Sequence, residues 1–317
     1  MRLLHLLIAT ALVLAAIGVT VSLLAAQDVR ARNEALARDA LYAQTRHGVI
    51  EYAAWGEGAP VLVIHGAGGG FDQGQLIAEA FGGDGVHWIA ISRFGYLGSA
   101  LPADASPSAQ ADALVDLLDA LGVERVSVLA FSGGAPPALQ FAERHPERVE
   151  RMALLSSAPF TPFTPPTEAR PIPDWLYQAL FGNDAVYWTL SKLNPGLLEQ
   201  AFDARADLRG DLPESEEAFV ARLVGAFLPA SRRFAGVRNE GAAITPDARY
   251  ALEAIRAPTL IVHARDDRLN QFAVGEALAA RIQGAAFMPL DTGGHLLLGH
   301  HAEVRARVTE FLAEGPT

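Results

Sequence analysis

The chain has 317 residues, half of them hydrophobic, with a formal net charge of −11. That is enough apolar material for a full core, and the acidic balance would repel a nucleic-acid phosphate backbone. There is no cysteine, so disulfides, thiolate nucleophiles and Cys-built metal sites are excluded, and Lys192 is the only lysine that a Schiff base, Walker-A loop or Ser-Lys dyad could use.

Residues 6–26 carry no charge and, at about 1.5 Å rise per residue, span roughly the 30 Å hydrocarbon core of a bilayer. A membrane anchor is expected over residues 1–27. A signal peptide is the rival, because Arg2 gives a basic start and Leu24-Ala-Ala26 is a weak cleavage-like site. Against it, the run exceeds the usual ~7–15-residue apolar region of such signals. Arg30, Arg32 and Arg38 outnumber Arg2, a charge bias that would keep the rest of the chain in the cytoplasm. For one span with so short a leading tail that bias leaves the side of the membrane open.

Residues 28–46 read as a polar linker with a helical piece. Strand patterns follow at 49–55, 61–65, 86–91, 125–130 and 152–156, with helix patterns at 109–121 and 136–144. Residues 158–257 break the alternation: a Pro-rich stretch precedes helix-like segments at 175–181 and 216–227, with no clear strand. The alternation resumes with a strand at 258–263, a helix at 271–282, a strand at 285–289 and a helix at 301–312. Strands alternating with helices predict an α/β fold, a mostly parallel sheet covered on both faces. The core is expected over 47–157 and 258–317, with 158–257 an inserted helical cap.

Ser132 ends the apolar run Val126-Ser-Val-Leu-Ala-Phe and is followed by two glycines. A sharp strand-to-helix turn of small residues presents a serine hydroxyl to a base and to a backbone oxyanion site together. The candidate base is His295, in Asp291-Thr-Gly-Gly-His295, and the candidate orienting acid is Asp267, in Ala264-Arg-Asp-Asp-Arg268. Oxyanion donors are expected from the N–H of Gly133 and from the loop His65-Gly-Ala67-Gly-Gly-Gly70, at Ala67. Pro136 and Pro137 then fall in the first helical turn, where a missing N–H costs little.

Five motifs together resemble the α/β-hydrolase superfamily: His65-Gly-Ala-Gly, Ser92-Arg-Phe-Gly-Tyr-Leu-Gly-Ser99, Ala-Phe-Ser132-Gly-Gly, Pro258-Thr-Leu-Ile-Val-His-Ala-Arg-Asp-Asp267 and Gly293-Gly-His295. The resemblance covers the chain from about residue 48, excluding the cap, and implies a Ser-Asp-His triad acting without a cofactor. The chain departs from the family pattern at Ala130 and Ala264, where glycine is common, at Ser92, a frequent aspartate, and at Asn270, near a usual Val-Pro. The implied activity is hydrolysis of an ester or related acyl compound by an acyl-enzyme route. A C–C bond hydrolase, an aminopeptidase or a perhydrolase would present the same triad, and a catalytically silent small-molecule receptor could keep the scaffold. Aspartate-nucleophile reactions are disfavoured by the serine at 132.

Blander readings stand beside several residues. Asp266 competes with Asp267. His300 and His301 are expected to open a solvated helix, and His65 and His263 to be structural or pocket-lining. A metal site at His295, His300 and His301 lacks a suitable carboxylate pattern. The glycine loop fails the dinucleotide fingerprint at Phe71. Asp72, Gln73 and Gly74 read equally as loop structure or as substrate contacts. Cap aromatics, among them Phe160, Phe163, Trp175, Tyr177, Phe181, Tyr187 and Trp188, read mainly as packing that holds the cap together.

Overall fold

The computed structural model describes residues 2–161, 178–179 and 181–314. Eight strands form one sheet: β1 (Leu41–Thr45), β2 (Gly48–Trp55), β3 (Ala59–Ile64), β4 (Val86–Ile91), β5 (Val126–Phe131), β6 (Val149–Leu155), β7 (Thr259–Ala264) and β8 (Ala286–Leu290). Their spatial order is β1-β2-β4-β3-β5-β6-β7-β8. The β1–β2 and β2–β4 pairs are antiparallel and every other pair is parallel. Strands β3, β5 and β7 are almost unbroken apolar runs because helices cover both of their faces.

Register lines up the carboxyl ends. Ile64 pairs with Ala130, Phe131 with Leu155, Leu155 with Val262, and Ala264 with Leu290. The loops after β3, β5, β7 and β8 therefore leave along one edge. The chain reverses direction across the sheet between β4 and β5, which flank β3, so that edge holds the switch-point crevice where ligands bind in open α/β sheets.

One face is packed by α3 (Pro107–Leu121), α4 (Ala135–Arg144) and α9 (Phe272–Arg281), the other by α2 (Phe71–Phe81) and α10 (His301–Ala313). Helix α3 has local start and stop signals. Ser106 Oγ accepts the Ala109 N–H at 3.2 Å, Pro107 stands in the first turn, and Gly122 ends the helix at φ +68°. Helix α2 escaped the sequence reading because three glycines precede it. It nevertheless buries Phe71, Gly74, Ile77, Ala78 and Phe81 at helical spacing.

Between β6 and β7 lie α5 (Asp184–Leu193), α6 (Pro195–Ala201), α7 (Glu214–Ala226) and α8 (Phe234–Asn239), joined by short 3-10 turns, and no described residue of 158–257 is in a strand. Asn183 and Asn194 cap α5 and α6 by accepting the N–H groups of Val186 and Leu197. Helix α7 buries Phe219, Val220 and Leu223 in the cluster shared with α2 and α10. The helix expected at 175–181 falls mostly outside the described residues, as do Phe163, Trp175 and Tyr177.

Two expectations are corrected. Residues 28–46 are not a linker. A single helix, α1 (Arg2–Asp39), continues through most of them, and the rest enters the sheet as β1, paired with β2 through Ala43↔Ile50 and Thr45↔Gly48. As an edge strand β1 buries only Ala43 and Thr45, too little apolar signal to read from sequence. His301 does open a helix, but it is buried rather than solvated. Its Nε2 lies 2.9 Å from the Leu296 carbonyl and its ring packs on Phe81 and Phe219, and burial lowers its pKa despite the Glu216 carboxylate nearby.

Candidate active site

The backbone turns sharply where β5 ends. Ser132 stands at φ +51°, in the left-handed region, and begins the 3-10 turn Ser132–Gly134 that leads into α4. A non-glycine residue there costs about 1–2 kcal/mol, strain that the surroundings must enforce. Gly134 has no alternative, since a Cβ on it would sit 2.2 Å from the Ile64 carbonyl oxygen. Pro136 and Pro137 fall in the first turn of α4, as expected.

Ser132 and His295 line one cavity of about 270 Å³, with Ala67, Gln73, Asn270 and an apolar wall of Phe131, Phe181, Phe202, Leu223 and Phe227. His295 Nδ1 lies 2.9 Å from Asp267 Oδ2. The other oxygen of Asp267 accepts the N–H groups of Leu269 and Asn270, each at 2.8 Å. Burial pushes the Asp267 carboxyl up. The His295 charge and the hydrogen bonds from His263, His295 and Asn270 outweigh it and hold the group well below the usual carboxylate range. Asp267 is therefore an ionised acceptor on which imidazole Nδ1–H can rest, which leaves Nε2 as the basic nitrogen of the ring. Asp266 points elsewhere, taking Arg205 Nη2 at 2.7 Å and the Gly294 N–H at 2.9 Å.

Two neighbours of this pair were read from sequence only as a structural or pocket-lining histidine and as a departure from the family pattern. His263, fully buried at the end of β7, has Nε2 3.0 Å from the Asn270 carbonyl and 3.4 Å from Asp267 Oδ2, so Asp267 lies between two imidazoles. Asn270 donates Nδ2–H to Ser132 Oγ at 3.3 Å and to the Ser156 carbonyl at 2.7 Å. Among the described residues Asn270, not His295, is the hydrogen-bond partner of the Ser132 hydroxyl.

The glycine loop after β3 faces this turn. A Cβ on Gly133 would lie 3.2 Å from the Ala67 nitrogen, so the two expected donors are neighbours. Gly66 N–H donates to Gln73 Oε1, Gly68 N–H to Tyr96 Oη and Gly69 N–H to the Gly66 carbonyl. Ala67 N–H is left without a protein acceptor among the described residues. His65 is structural: Nε2 accepts the Arg93 N–H at 3.0 Å, and burial followed by the Arg93 charge lowers its pKa well below the ordinary value.

Residues between β6 and β7 hold the loops after β3, β4, β7 and β8. Arg233, fully buried, donates to both Asp72 oxygens at 3.0 and 2.8 Å and to the Gly69 carbonyl at 2.7 Å, and Asp72 also pairs with Arg32 of α1. Asp72 is thus loop structure, whereas Gln73 both holds the loop and lines the cavity. Glu240 accepts from Tyr96 Oη and from Arg93 Nη2, the latter at 2.5 Å. Asp203 Oδ2 accepts the N–H groups of His295 at 2.9 Å and Arg268 at 3.2 Å, while Arg205 bridges Asp203 and Asp266. Of the cap aromatics, Tyr187 is buried against Phe227 and Phe160 against Tyr250, Trp188 bonds Asp28, and Phe181 lines the cavity. The Ser92 departure is compensated by Glu51 of β2, which accepts the Ser92 hydroxyl at 2.8 Å and the Gly98 N–H at 2.9 Å. Among the described residues no group of three or more His, Cys, Asp or Glu is arranged to hold a metal ion.

This is the architecture of an α/β-fold hydrolase, and the chain belongs to that family: the family model described as alpha/beta hydrolase fold matches residues 59–302. The chain is 30% identical over 269 residues to 2-hydroxymuconate semialdehyde hydrolase of Pseudomonas putida, covering 82% of this chain and 89% of that one. It is 31% identical over 192 residues to pimeloyl-[acyl-carrier protein] methyl ester esterase of Aromatoleum aromaticum, covering 59% and 74%. Among solved structures it resembles an alpha/beta hydrolase fold protein from Nakamurella multipartita, with TM-score 0.75 and 26% identity over 86% of this chain and 98% of that one. The protein is a hydrolytic enzyme.

Proposed function

We propose that the protein is a serine hydrolase that cleaves an uncharged ester or related acyl compound, held to a membrane by residues 6–26. Ser132 Oγ attacks the acyl carbon and its proton passes to His295 Nε2. Asp267 holds the opposite ring nitrogen and stabilises the imidazolium. Negative charge on the former carbonyl oxygen is met by the Ala67 and Gly133 N–H groups. The imidazolium then protonates the departing alkoxide, and water, deprotonated by the same imidazole, releases the acid and restores Ser132. The observation that carries this reading is the ionised Asp267 on His295 in the same small cavity as a serine held at φ +51°.

Carbon–carbon cleavage is the second reading, favoured by the 30% identity to a semialdehyde hydrolase. Other relatives are named for a nonadienedioate, a dicarboxylate by its name. The cavity argues for a neutral substrate instead, since none of its described lining residues is Arg or Lys and a desolvated carboxylate needs a partner. Retention of the leader is supported by Ala25, which lies within the cleavage-like Leu24-Ala-Ala26 yet is 1% exposed in a continuous helix.

The test is turnover by the full chain in detergent across p-nitrophenyl esters of increasing acyl length, beside a vinylogous dioxo-dicarboxylate. Ester hydrolysis lost in Ser132→Ala, along with labelling by a fluorophosphonate, is expected. Faster cleavage of the dicarboxylate would overturn the ester reading in favour of the second. Retained hydrolysis in Ser132→Ala would remove the nucleophile.

A further inference from the structure

Helix α1 passes without a break from its apolar run into a segment docked on the cap. Asn33 Oδ1 accepts from Arg232 Nη1 at 2.7 Å, and Asp28 accepts from Trp188 Nε1 at 2.7 Å and lies 3.4 Å from the Lys192 ammonium. Helix α5 runs antiparallel to α1 here. Its first residue, Asp184, accepts from Ser231 beside the Arg232–Asn33 contact, whereas Lys192 in its last turn reaches Asp28. The carboxyl end of α5 therefore points back along α1 towards the apolar run.

Burial of α1 does not stop at Asp28. Ala25 is 1% exposed and Val21 is half-buried, and both belong to the uncharged stretch. A hydrocarbon layer takes about 20 residues of helix, so residues 6–26 are all needed and the layer ends near Ala26. The protein then covers α1 for about five residues, roughly 7 Å, inside that boundary. Interfacial helices rest at a similar depth of about 5–10 Å. The side chains at this end suit it. Leu193 is 80% and Leu197 52% exposed, the two large hydrophobics that stand exposed among the described cap residues. Trp188 and Lys192, an aromatic and a cation that favour the headgroup level, stand just behind them.

Resting on the anchor reading above, we propose that the cap tip, Leu193 and Leu197 with Lys192 behind them, sits in the headgroup layer of the bilayer that α1 crosses. The partner is a phospholipid surface. Its effect is to hold the cap over the active site against the membrane, where esters dissolved in lipid are concentrated.

Because the chain lacks cysteine, single labels are specific. Full-length protein in phosphatidylcholine–phosphatidylglycerol nanodiscs would carry NBD at Leu193→Cys, at Leu14→Cys within the apolar run, or at Glu147→Cys on the exposed surface of the core. Doxyl-lipid quenching is expected at positions 193 and 14 and not at 147. Quenching at 14 with position 193 matching 147 would overturn the cap-tip proposal and leave the anchor standing. No quenching at 14 would remove the anchor and the proposal with it. In parallel, Leu193→Asp with Leu197→Asp should lower kcat/KM for a bilayer-partitioned ester about tenfold, the equivalent of about 1.4 kcal/mol, and leave a water-soluble ester unaffected. Equal effects on both esters would overturn the lipid contact.

Discussion

Removing the Asp203 carboxylate should damage the loop that carries His295, the proposed base, although Asp203 lies between β6 and β7 and does not line the cavity shared by Ser132 and His295. Asp203 is 2% exposed, and one oxygen accepts the backbone N–H of His295 at 2.9 Å and that of Arg268 at 3.2 Å. Each is a hydrogen bond to a charged acceptor, worth about 1.5–3 kcal/mol when buried. In Asp203→Ala both N–H groups lose that acceptor, so a stability loss of about 3–6 kcal/mol is expected. Arg205 keeps Asp266 at 2.7 Å, so no unpaired buried charge adds to it. The activity loss is separate: a freed histidine loop displaces the imidazole, and a misplacement of about 1 Å can cost on the order of 100-fold. Urea unfolding followed by tryptophan fluorescence, kcat/KM on an aryl ester and amide exchange at His295 measure the three effects. Asp203→Asn, which keeps one acceptor, should fall between the wild type and Asp203→Ala. A stability loss below about 1 kcal/mol with wild-type kcat/KM would refute the clamp, because two charge-assisted bonds cannot vanish at so small a cost.

His263→Phe removes the second imidazole beside Asp267, and kcat on the same ester should fall about tenfold, the equivalent of ~1.4 kcal/mol, with KM little changed. An unaltered kcat would reduce His263 to packing. His65 makes stability pH-dependent. Its folded pKa is depressed by burial and by the Arg93 charge, so below about pH 6.5 the unfolded chain binds a proton that the folded chain does not. Stability is complete above that pH and falls as pH drops towards the folded pKa, by up to about 1.4 kcal/mol per unit. His301, also lowered, adds a second contribution of the same sign. Denaturation between pH 7 and 5.5 should show this fall and His65→Gln should flatten it; a pH-independent wild type would contradict the assignment.

Local chemistry explains what was readable from sequence. Ser132 stood out as a candidate because a buried strand, small residues and paired prolines are consecutive, and the Asp267 and His295 loops each follow an apolar strand. Helix α2 was hidden by the glycines that precede it, and β1 by having only two inward residues. The supporting shell was invisible for a different reason. Asp203, Arg205, Arg233 and Glu240 sit in cap segments with no motif, and their partners lie 61 to 161 residues away for contacts such as Arg205–Asp266 and Arg233–Asp72. Glu51 shows the same limit: the carboxylate missing at Ser92 is supplied by the adjoining strand, which a reading of the loop alone cannot find.

The cap's attachments also bear on how substrate enters. Swinging the whole cap away would expose Phe219, Val220, Leu223 and Phe227, each now at most 5% exposed. At about 1.5–3 kcal/mol per large apolar side chain this costs roughly 6–12 kcal/mol, leaving the open form rarer than the closed by about four to nine decades. Buried polar contacts add direction to that cost, since Arg233, Glu240 and Asp203 hold the glycine loop after β3, Tyr96 and the His295 loop, and opening would disassemble the proposed site. Substrate should therefore enter with the cap seated. A cross-link can test this cleanly in a chain without cysteine. Glu79 of α2 and Arg222 of α7 meet at 2.7 Å on the surface, so Glu79→Cys with Arg222→Cys, joined by a short cleavable bis-maleimide, would pin cap to core. Turnover should persist in the joined protein. Turnover lost on joining and regained on cleaving the linker would mean that the cap swings and that the apolar seam between α2 and α7 is far weaker than its burial implies.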